Sequence, residues 1–217
     1  MAKQIVLSPS RINLFLDCKL CFWMNIVKNI KRPSGPFPSL PSGMDRILKS
    51  HFDMYREING IPPEIKDTGA RLFDNKNLLD EWRNNRKGIR WTDPKSGIIL
   101  MGAVDELLVK DDKLIVLDFK TRGYPVKEDT KENYENQLNI YSFLLEKNGH
   151  QTEDFAYLLF FHPNKVSEDG SVLFHRDLIK VKTDTKEAEK LFRKAANCIN
   201  GSKPEKNDSC EFCNWKK

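Results

Sequence analysis

Asp105, Asp118 and Lys120 are charged residues set in two otherwise oily stretches. One runs from Met101-Gly102-Ala103-Val104-Asp105-Glu106 to Lys110, the other over Leu114-Ile115-Val116-Leu117-Asp118-Phe119-Lys120-Thr121. The turn residues Lys110-Asp111-Asp112-Lys113 between β-branched runs predict a hairpin of two β-strands. Side chains alternate along a strand, so Asp118 and Lys120 project from one face, and Asp105 on the partner strand converges on it. Two acids and a lysine in such strands are costly to desolvate unless something offsets the cost. A divalent cation does so, because hard cations take carboxylate oxygens. Bound metal also lowers the pKa of its water, and a neighbouring ammonium stabilises negative charge that develops during a reaction.

A second set of chemistry-bearing residues is split between the ends of the sequence, Cys18-Lys19-Leu20-Cys21 and Cys210-Glu211-Phe212-Cys213, the latter followed by Asn214-Trp215-Lys216-Lys217. Each C-x-x-C pair can hold one metal with two thiolates, and four thiolates complete a tetrahedral zinc or an iron-sulfur cubane. Free structural thiols are the plainer reading, since cysteine is a common core residue. Cys198 fits neither spacing and is read as core.

The elements that must position these groups can be followed in order. Ser8 as N-cap and Pro9 at the first helical position open a helix carrying Ile12, Phe15 and Leu16. Residues 31–43, rich in proline and glycine, read as a loop. A helix is expected from Met44 to about residue 58, with Ile47, Leu48, Phe52 and Tyr55 as its apolar face and His51 on it. His51 is equally a half-buried histidine or a ligand to the carboxylate site. A further helix is expected over residues 78–86. Its cluster Arg83, Arg86, Lys87 and Arg90, interleaved with Trp82 and Trp91, suits either a phosphate backbone or a solvated face over two core tryptophans. Ile89 to Trp91 reads as a short strand. The best-formed helix runs from Glu132 to Lys147, and Gly149 ends it. On it Gln137 and Tyr141 are four apart and share a face. Phe155 to His162 is a continuous apolar run suited to a strand buried on both faces. A strand over Ser171 to Lys182 and a helix from Thr185 to Cys198 complete the chain, giving an α/β fold.

With 217 residues, 39% of them hydrophobic, the chain is long enough for one cored domain. Its formal charge of +5 permits a nucleic-acid partner without demanding one. The run Met1-Ala2-Lys3-Gln4-Ile5-Val6-Leu7 is too short for a signal peptide, and no stretch reaches transmembrane length. A soluble cytoplasmic protein with reduced cysteines and no membrane partner is therefore expected.

The ordered set G-x-x-D (Gly102 to Asp105), D-x-K (Asp118 to Lys120) and Q-x-x-x-Y (Gln137 to Tyr141) resembles the PD-(D/E)XK nuclease superfamily, and within it the RecB-like group that includes CRISPR-associated exonucleases. The opening Ser8-Pro9-Ser10-Arg11-Ile12-Asn13-Leu14-Phe15-Leu16-Asp17-Cys18 is similar to that group's start, with Lys19 where a proline is usual. The resemblance implies an αβββαβ restriction-endonuclease-like core in a single domain. Residues 1–60 would be a helical region, 61–200 the nuclease core and 201–217 a cysteine tail. It implies a divalent-metal-dependent DNA nuclease, an exonuclease acting on single-stranded DNA or DNA ends, in DNA processing or repair. Asp105 and Asp118 would hold Mg2+ or Mn2+ with the Phe119 carbonyl. His51 would be a further ligand, although Gly43 precedes it at a wider spacing than the group's G-x-x-x-H. Lys120 would activate water, and Gln137 and Tyr141 would position nucleic acid. Cys18, Cys21, Cys210 and Cys213 would form a staple around a [4Fe-4S] cluster, with Zn2+ as the alternative; the group commonly splits its cysteines one and three rather than two and two. A catalytically silent nucleic-acid-binding module on the same fold, and a zinc-stapled protein-interaction domain, are the competing readings.

Overall fold

A computed structural model describes residues 4–213. Met1–Lys3 of the opening run and Asn214–Lys217 of the cysteine tail lie outside the described residues. The elements in order are β1 (Val6–Leu7), α1 (Pro9–Asp17), α2 (Lys19–Val27), α3 (Ser39–Glu57), β2 (Arg71–Leu72), α4 (Lys76–Arg83), β3 (Ile89–Thr92), β4 (Ile99–Gly102), β5 (Glu106–Lys110), β6 (Lys113–Thr121), α5 (Glu132–Lys147), β7 (Phe155–Val166), β8 (Val172–Lys182) and α6 (Thr185–Asn200). They form a mixed α/β fold with sheets ordered β1-β4-β3 and β2-β5-β6-β7-β8. Among the elements around the charged residues the order is α3, β4, β5, β6, α5, β7, the αβββαβ sequence.

The larger sheet is covered on both faces, which is why its strands read as continuous apolar runs. Leu107, Val109, Val116, Leu158 and Phe160 pack with α5, α6 and α1. The alternate residues Leu108, Ile115, Leu117, Phe119, Leu159 and Phe161 pack with Leu48 and Phe52 of α3. Strands β6 and β7 are parallel, as a helical crossover through α5 requires, with Asp118 opposite Leu158 and Lys120 opposite Phe160.

Several elements depart from the sequence expectation. The expected strand through Met101 to Lys110 is two strands in different sheets, broken at residues 103–105, so Asp105 lies at a corner rather than within a strand. The strand end before the break is crowded: a Cβ on Gly102 would come within 2.7 Å of the Tyr141 ring. Only glycine lets the end of β4 pass so close beneath α5. Helix α3 begins at Ser39, taking in five residues read as loop; Pro41 is tolerated because the first helical N–H groups have no intrahelical partner. Leu16 and Ile47 are exposed rather than part of their helices' buried stripes. Helix α5 keeps the expected bounds, and Gly149, at φ +86°, supplies the left-handed residue that ends it. No helix among the described residues is long and apolar enough to cross a membrane.

Candidate active site

Asp105, Asp118, Lys120, Gln137 and Tyr141 meet where the β4–β5 corner, the C-terminal half of β6 and the first half of α5 adjoin. The corner is tied to β6 by its own acid: the Phe119 N–H donates to Asp105 Oδ2 at 3.0 Å. From the other side, Arg83 Nε donates to the Asp105 carbonyl at 2.8 Å. Asp118 is buried, and its Oδ1 accepts from Gln137 Nε2 at 2.9 Å. The same amide nitrogen donates to the Tyr141 hydroxyl at 2.9 Å, and Lys120 Nζ donates to Gln137 Oε1 at 3.3 Å. Lys120 also forms an ion pair with Asp118 Oδ2, an oxygen buried without a well-directed hydrogen bond.

The electrostatics of this group are those of acids held too close together. Burial, and next the Asp105 charge, push Asp118 up to about 7, against the opposing pull of Lys120 and Lys49. Burial and the two aspartates likewise drive Tyr141 far above the ordinary phenol value, so it keeps its proton. Two carboxylates whose repulsion survives two lysines are a site short of positive charge, and the oxygen donors fit a hard divalent cation.

Helix α3 supplies what the sequence reading missed. Lys49 Nζ lies 2.9 Å from Asp105 Oδ1 and 2.7 Å from Asp45 Oδ1. Burial and the Asp105 charge raise the pKa of Asp45, which makes it a third acid of the group. Lys49 itself is held above its ordinary value; burial acts downward, and the two aspartates outweigh it. The D-x-x-x-K spacing, which stacks both side chains on one helix face, is the signal that could have found them.

His51 is not brought to the carboxylates. Two residues beyond Lys49 it points about 200° around the helix, given 3.6 residues per turn. Its Nε2 is 3.2 Å from Glu64 Oε2, and its ring lies against Phe52 and Tyr55. The ligand role expected for His51 therefore has no geometric basis, and Asp45 stands where it was sought. In the basic cluster Arg86, Lys87 and Arg90 are exposed, as on a solvated face, and Arg83 alone departs from the expectation. Arg83 turns inward, with Nη1 2.9 Å from both Asp53 oxygens and Nη2 2.8 Å from Glu106 Oε2. Arg56 also pairs with Asp53 and, at 2.5 Å, with Glu106, which is fully buried beside Asp105. These arginines are struts beneath the site rather than phosphate contacts. Trp82 is buried and Trp91 packs on Phe143 and Phe192, so both tryptophans are core.

A cleft of about 380 Å3 opens beside Gln137 and Tyr141, lined also by Ser8, Ser10, Asn13 and Asn85. Its polar lining suits an extended polar ligand.

The four cysteines of the two C-x-x-C pairs converge. Cys18 caps the start of α2, and Cys21 lies in that helix's first turn. Cys18 Sγ is 3.4 Å from Cys213 Sγ, and Cys21 Sγ is 3.7 Å from Cys210 Sγ. All four sulfurs lie within 4.8 Å of one another, and none is in a disulfide. Arg32 Nη2 donates to Cys210 Sγ at 3.3 Å, placing a guanidinium beside the thiols. Burial pushes Cys21 up to about 12, partly opposed by Arg32. At Cys210 burial acts upward too, but hydrogen bonds from the Cys213 backbone and the neighbouring thiols bring it down to about 7. Such a group could hold a metal ion. Cys198 lies apart on α6, as expected of a packing residue.

A family model of the PD-(D/E)XK nuclease superfamily matches residues 46–217. The chain belongs to the PD-(D/E)XK nuclease superfamily. Membership carries nuclease-type chemistry, a divalent metal and a nucleic-acid substrate in its coarse form. The chain is also 35% identical over 101 residues to one subunit of the ATP-dependent helicase/nuclease of Ligilactobacillus salivarius, a stretch covering 46% of this chain and 7% of that relative. It thus spans a small part of that relative's length. Among solved structures, that of SSO0001 matches 98% of this chain and 84% of its own at 16% identity and a TM-score of 0.44.

Proposed function

We propose that this superfamily member is a divalent-metal-dependent deoxyribonuclease acting on single-stranded DNA or DNA ends, an exonuclease in DNA processing. The observation that carries the reading is the convergence of Asp105, at the β4–β5 corner, with Asp118 and Lys120 of β6, the latter two tied by Gln137. Asp105, Asp118 and the Phe119 carbonyl would hold Mg2+ or Mn2+, with Asp45 in reach of the same position. The cation would acidify a water and neutralise charge on the phosphate. Lys120, held by Asp118 and Gln137, orients the attacking water and stabilises negative charge as the phosphodiester breaks. Gln137 and the protonated Tyr141 offer hydrogen bonds to the DNA in the adjoining cleft. Lys49 bridges Asp105 and Asp45 and offsets their mutual repulsion.

At the cysteines we propose a single tetrahedral Zn2+. Zn–S bonds of about 2.3 Å place tetrahedral thiolates about 3.8 Å apart, close to the separations seen. A [4Fe-4S] cubane binds each thiolate to a different iron and needs wider spacing. Residues 1–217 are read as one unit, because Ile12, Phe15 and Phe22 of the opening helices share a core with Leu138 and Phe192.

The test is cleavage of end-labelled single-stranded DNA with Mn2+ or Mg2+ by the wild type and by Asp118→Ala and Lys120→Ala. Loss of cleavage in both variants, with DNA binding retained, is expected. Full cleavage by either variant overturns the assignment, and binding without cleavage by the wild type under any divalent metal makes the chain a silent binding module.

A further inference from the structure

Strands β7 and β8 carry another group of metal-type ligands, apart from both the carboxylates and the cysteines. His162 and His175 are direct cross-strand partners, and Asp177 stands two residues along β8 opposite Phe160. Paired and alternate strand positions share a face, so all three side chains project together. His162 Nε2 is 3.4 Å from Asp177 Oδ2, and His175 Nε2 is 3.3 Å from Asp177 Oδ1. The donor atoms all lie within 4.8 Å of one another.

The hydrogen bonding of His162 fixes which ring nitrogen is available to a ligand. Its Nδ1 lies 3.2 Å from the Pro163 carbonyl, which can only accept. That bond puts a proton on Nδ1 and leaves Nε2 as the ring nitrogen that faces the carboxylate, the atom a metal ion would take. Metal-binding histidines are commonly fixed in this way, with the second ring nitrogen donating to a backbone carbonyl. His162 is buried and anchored, and the strand irregularity at Pro163–Lys165 follows directly. His175 and Asp177 are partly open to solvent, leaving an entry path.

We propose that His162, His175 and Asp177 form a binding site for a borderline divalent transition-metal ion of the zinc type, its remaining position open to water or an anionic oxygen. Two imidazoles and one carboxylate suit Zn2+ and its neighbours and not Mg2+, which prefers oxygen. The assignment does not rest on the nuclease reading. Its position nevertheless matters, because Lys120, Phe160 and Asp177 are successive partners across β6, β7 and β8. With strands spaced about 4.8 Å apart, Asp177 stands about 10 Å from Lys120 along the same sheet face. An ion bound here would lie beside any nucleic acid held at Asp118.

The chain has four histidines, His51, His150, His162 and His175, so each can be followed by NMR in the full-length protein labelled with 15N-histidine. Zinc is added in steps with Mg2+ in excess, after the cysteine site has been filled. The Nε2 signals of His162 and His175 should move together to values of metal-bound imidazole, with His51 and His150 unchanged. His175→Ala, and separately Asp177→Asn, which keeps the shape of the side chain, should weaken this step at least about tenfold and remove one zinc equivalent in a chelator competition. Unchanged His162 and His175 signals under excess zinc, or wild-type stoichiometry in both variants, would overturn the proposal and leave a simple histidine–aspartate ion pair.

Discussion

Lys49 Nζ sits 2.9 Å from Asp105 Oδ1, so a lysine of α3 occupies the flank of an acid at the β4–β5 corner. An ammonium there competes with any cation for the carboxylate, yet it also adds positive charge near the reacting phosphate. The two effects act on different measurable quantities.

Lys49→Met should therefore bind Mn2+ more tightly while cleaving DNA more slowly. A close like-charge contact in a partly buried site is worth up to about 4 kcal/mol, so a change of at least about tenfold in each direction is the expected scale. Metal titration alongside single-turnover cleavage reads both. Weaker metal binding together with slower cleavage would mean Lys49 acts only by holding Asp105 in place.

The raised pKa of Asp118 makes the stability of the metal-free protein pH-dependent. Its folded-state value of about 7 exceeds the ordinary 3.8, so the folded protein binds the extra proton between those values. Stability then falls as pH rises from about 4 to 7 and stays low above that, by about 1.4 kcal/mol for each tenfold difference in proton affinity between the folded and unfolded chain. In a chelator, Asp118→Asn should be more stable than the wild type at pH 8, and the two should converge toward pH 4. Denaturation curves that stay parallel across this range would show that Asp118 titrates normally.

Glu106 is fully buried and pairs with Arg56 and Arg83. Glu106→Gln leaves two buried guanidiniums under-compensated, a change that typically costs about 3–5 kcal/mol. The urea midpoint should drop accordingly. Because Arg83 also holds the Asp105 carbonyl, cleavage should fall even at temperatures where the variant stays folded.

Gly102→Ala places a methyl 2.7 Å from the Tyr141 ring. Overpacking of this kind costs about 1–3 kcal/mol. The penalty should shrink in a Tyr141→Ala background, since the clash partner is then gone. Equal costs in both backgrounds would locate the strain elsewhere.

Cys18→Ser should release the metal of the cysteine group and lower the thermal midpoint. Elemental analysis of anaerobically purified wild type decides the ion: one zinc agrees with the sulfur separations, whereas iron with acid-labile sulfide would mean that the thiols move apart to take a cluster.

Much of this arrangement was legible in the amino-acid order. The hairpin turn, the α5 bounds and the pairing of Asp118 with Lys120 follow from alternation, helical period and the glycine at position 149, all local signals. The convergence of the two C-x-x-C pairs was legible too, because paired thiols signal a shared ion whatever their separation. The corner at residues 103–105 was not, since the strand that ends at Gly102 lies against a ring of α5 more than thirty residues away, a contact no local pattern announces. Nor was the contribution of α3: Asp45 and Lys49 look like an ordinary exposed ion pair until the helix is docked. His51 drew attention instead through its residue type, and helical geometry turns it away. Arg83 likewise reads as a surface charge until Glu106 is seen to be buried beneath it.

The cysteine group joins residues 18–21 to residues 210–213, so an ion held there turns nearly the whole intervening chain into a closed ring. In the chain-entropy description of a covalent cross-link, closing a ring of this size lowers the freedom of the unfolded chain by about 5 kcal/mol at 25 °C. A metal clasp can approach that value only while the ion stays bound. The opening helices and the final turn then cannot peel away separately. The loaded protein is held against fraying, and loss of one ion frees both flanks at once.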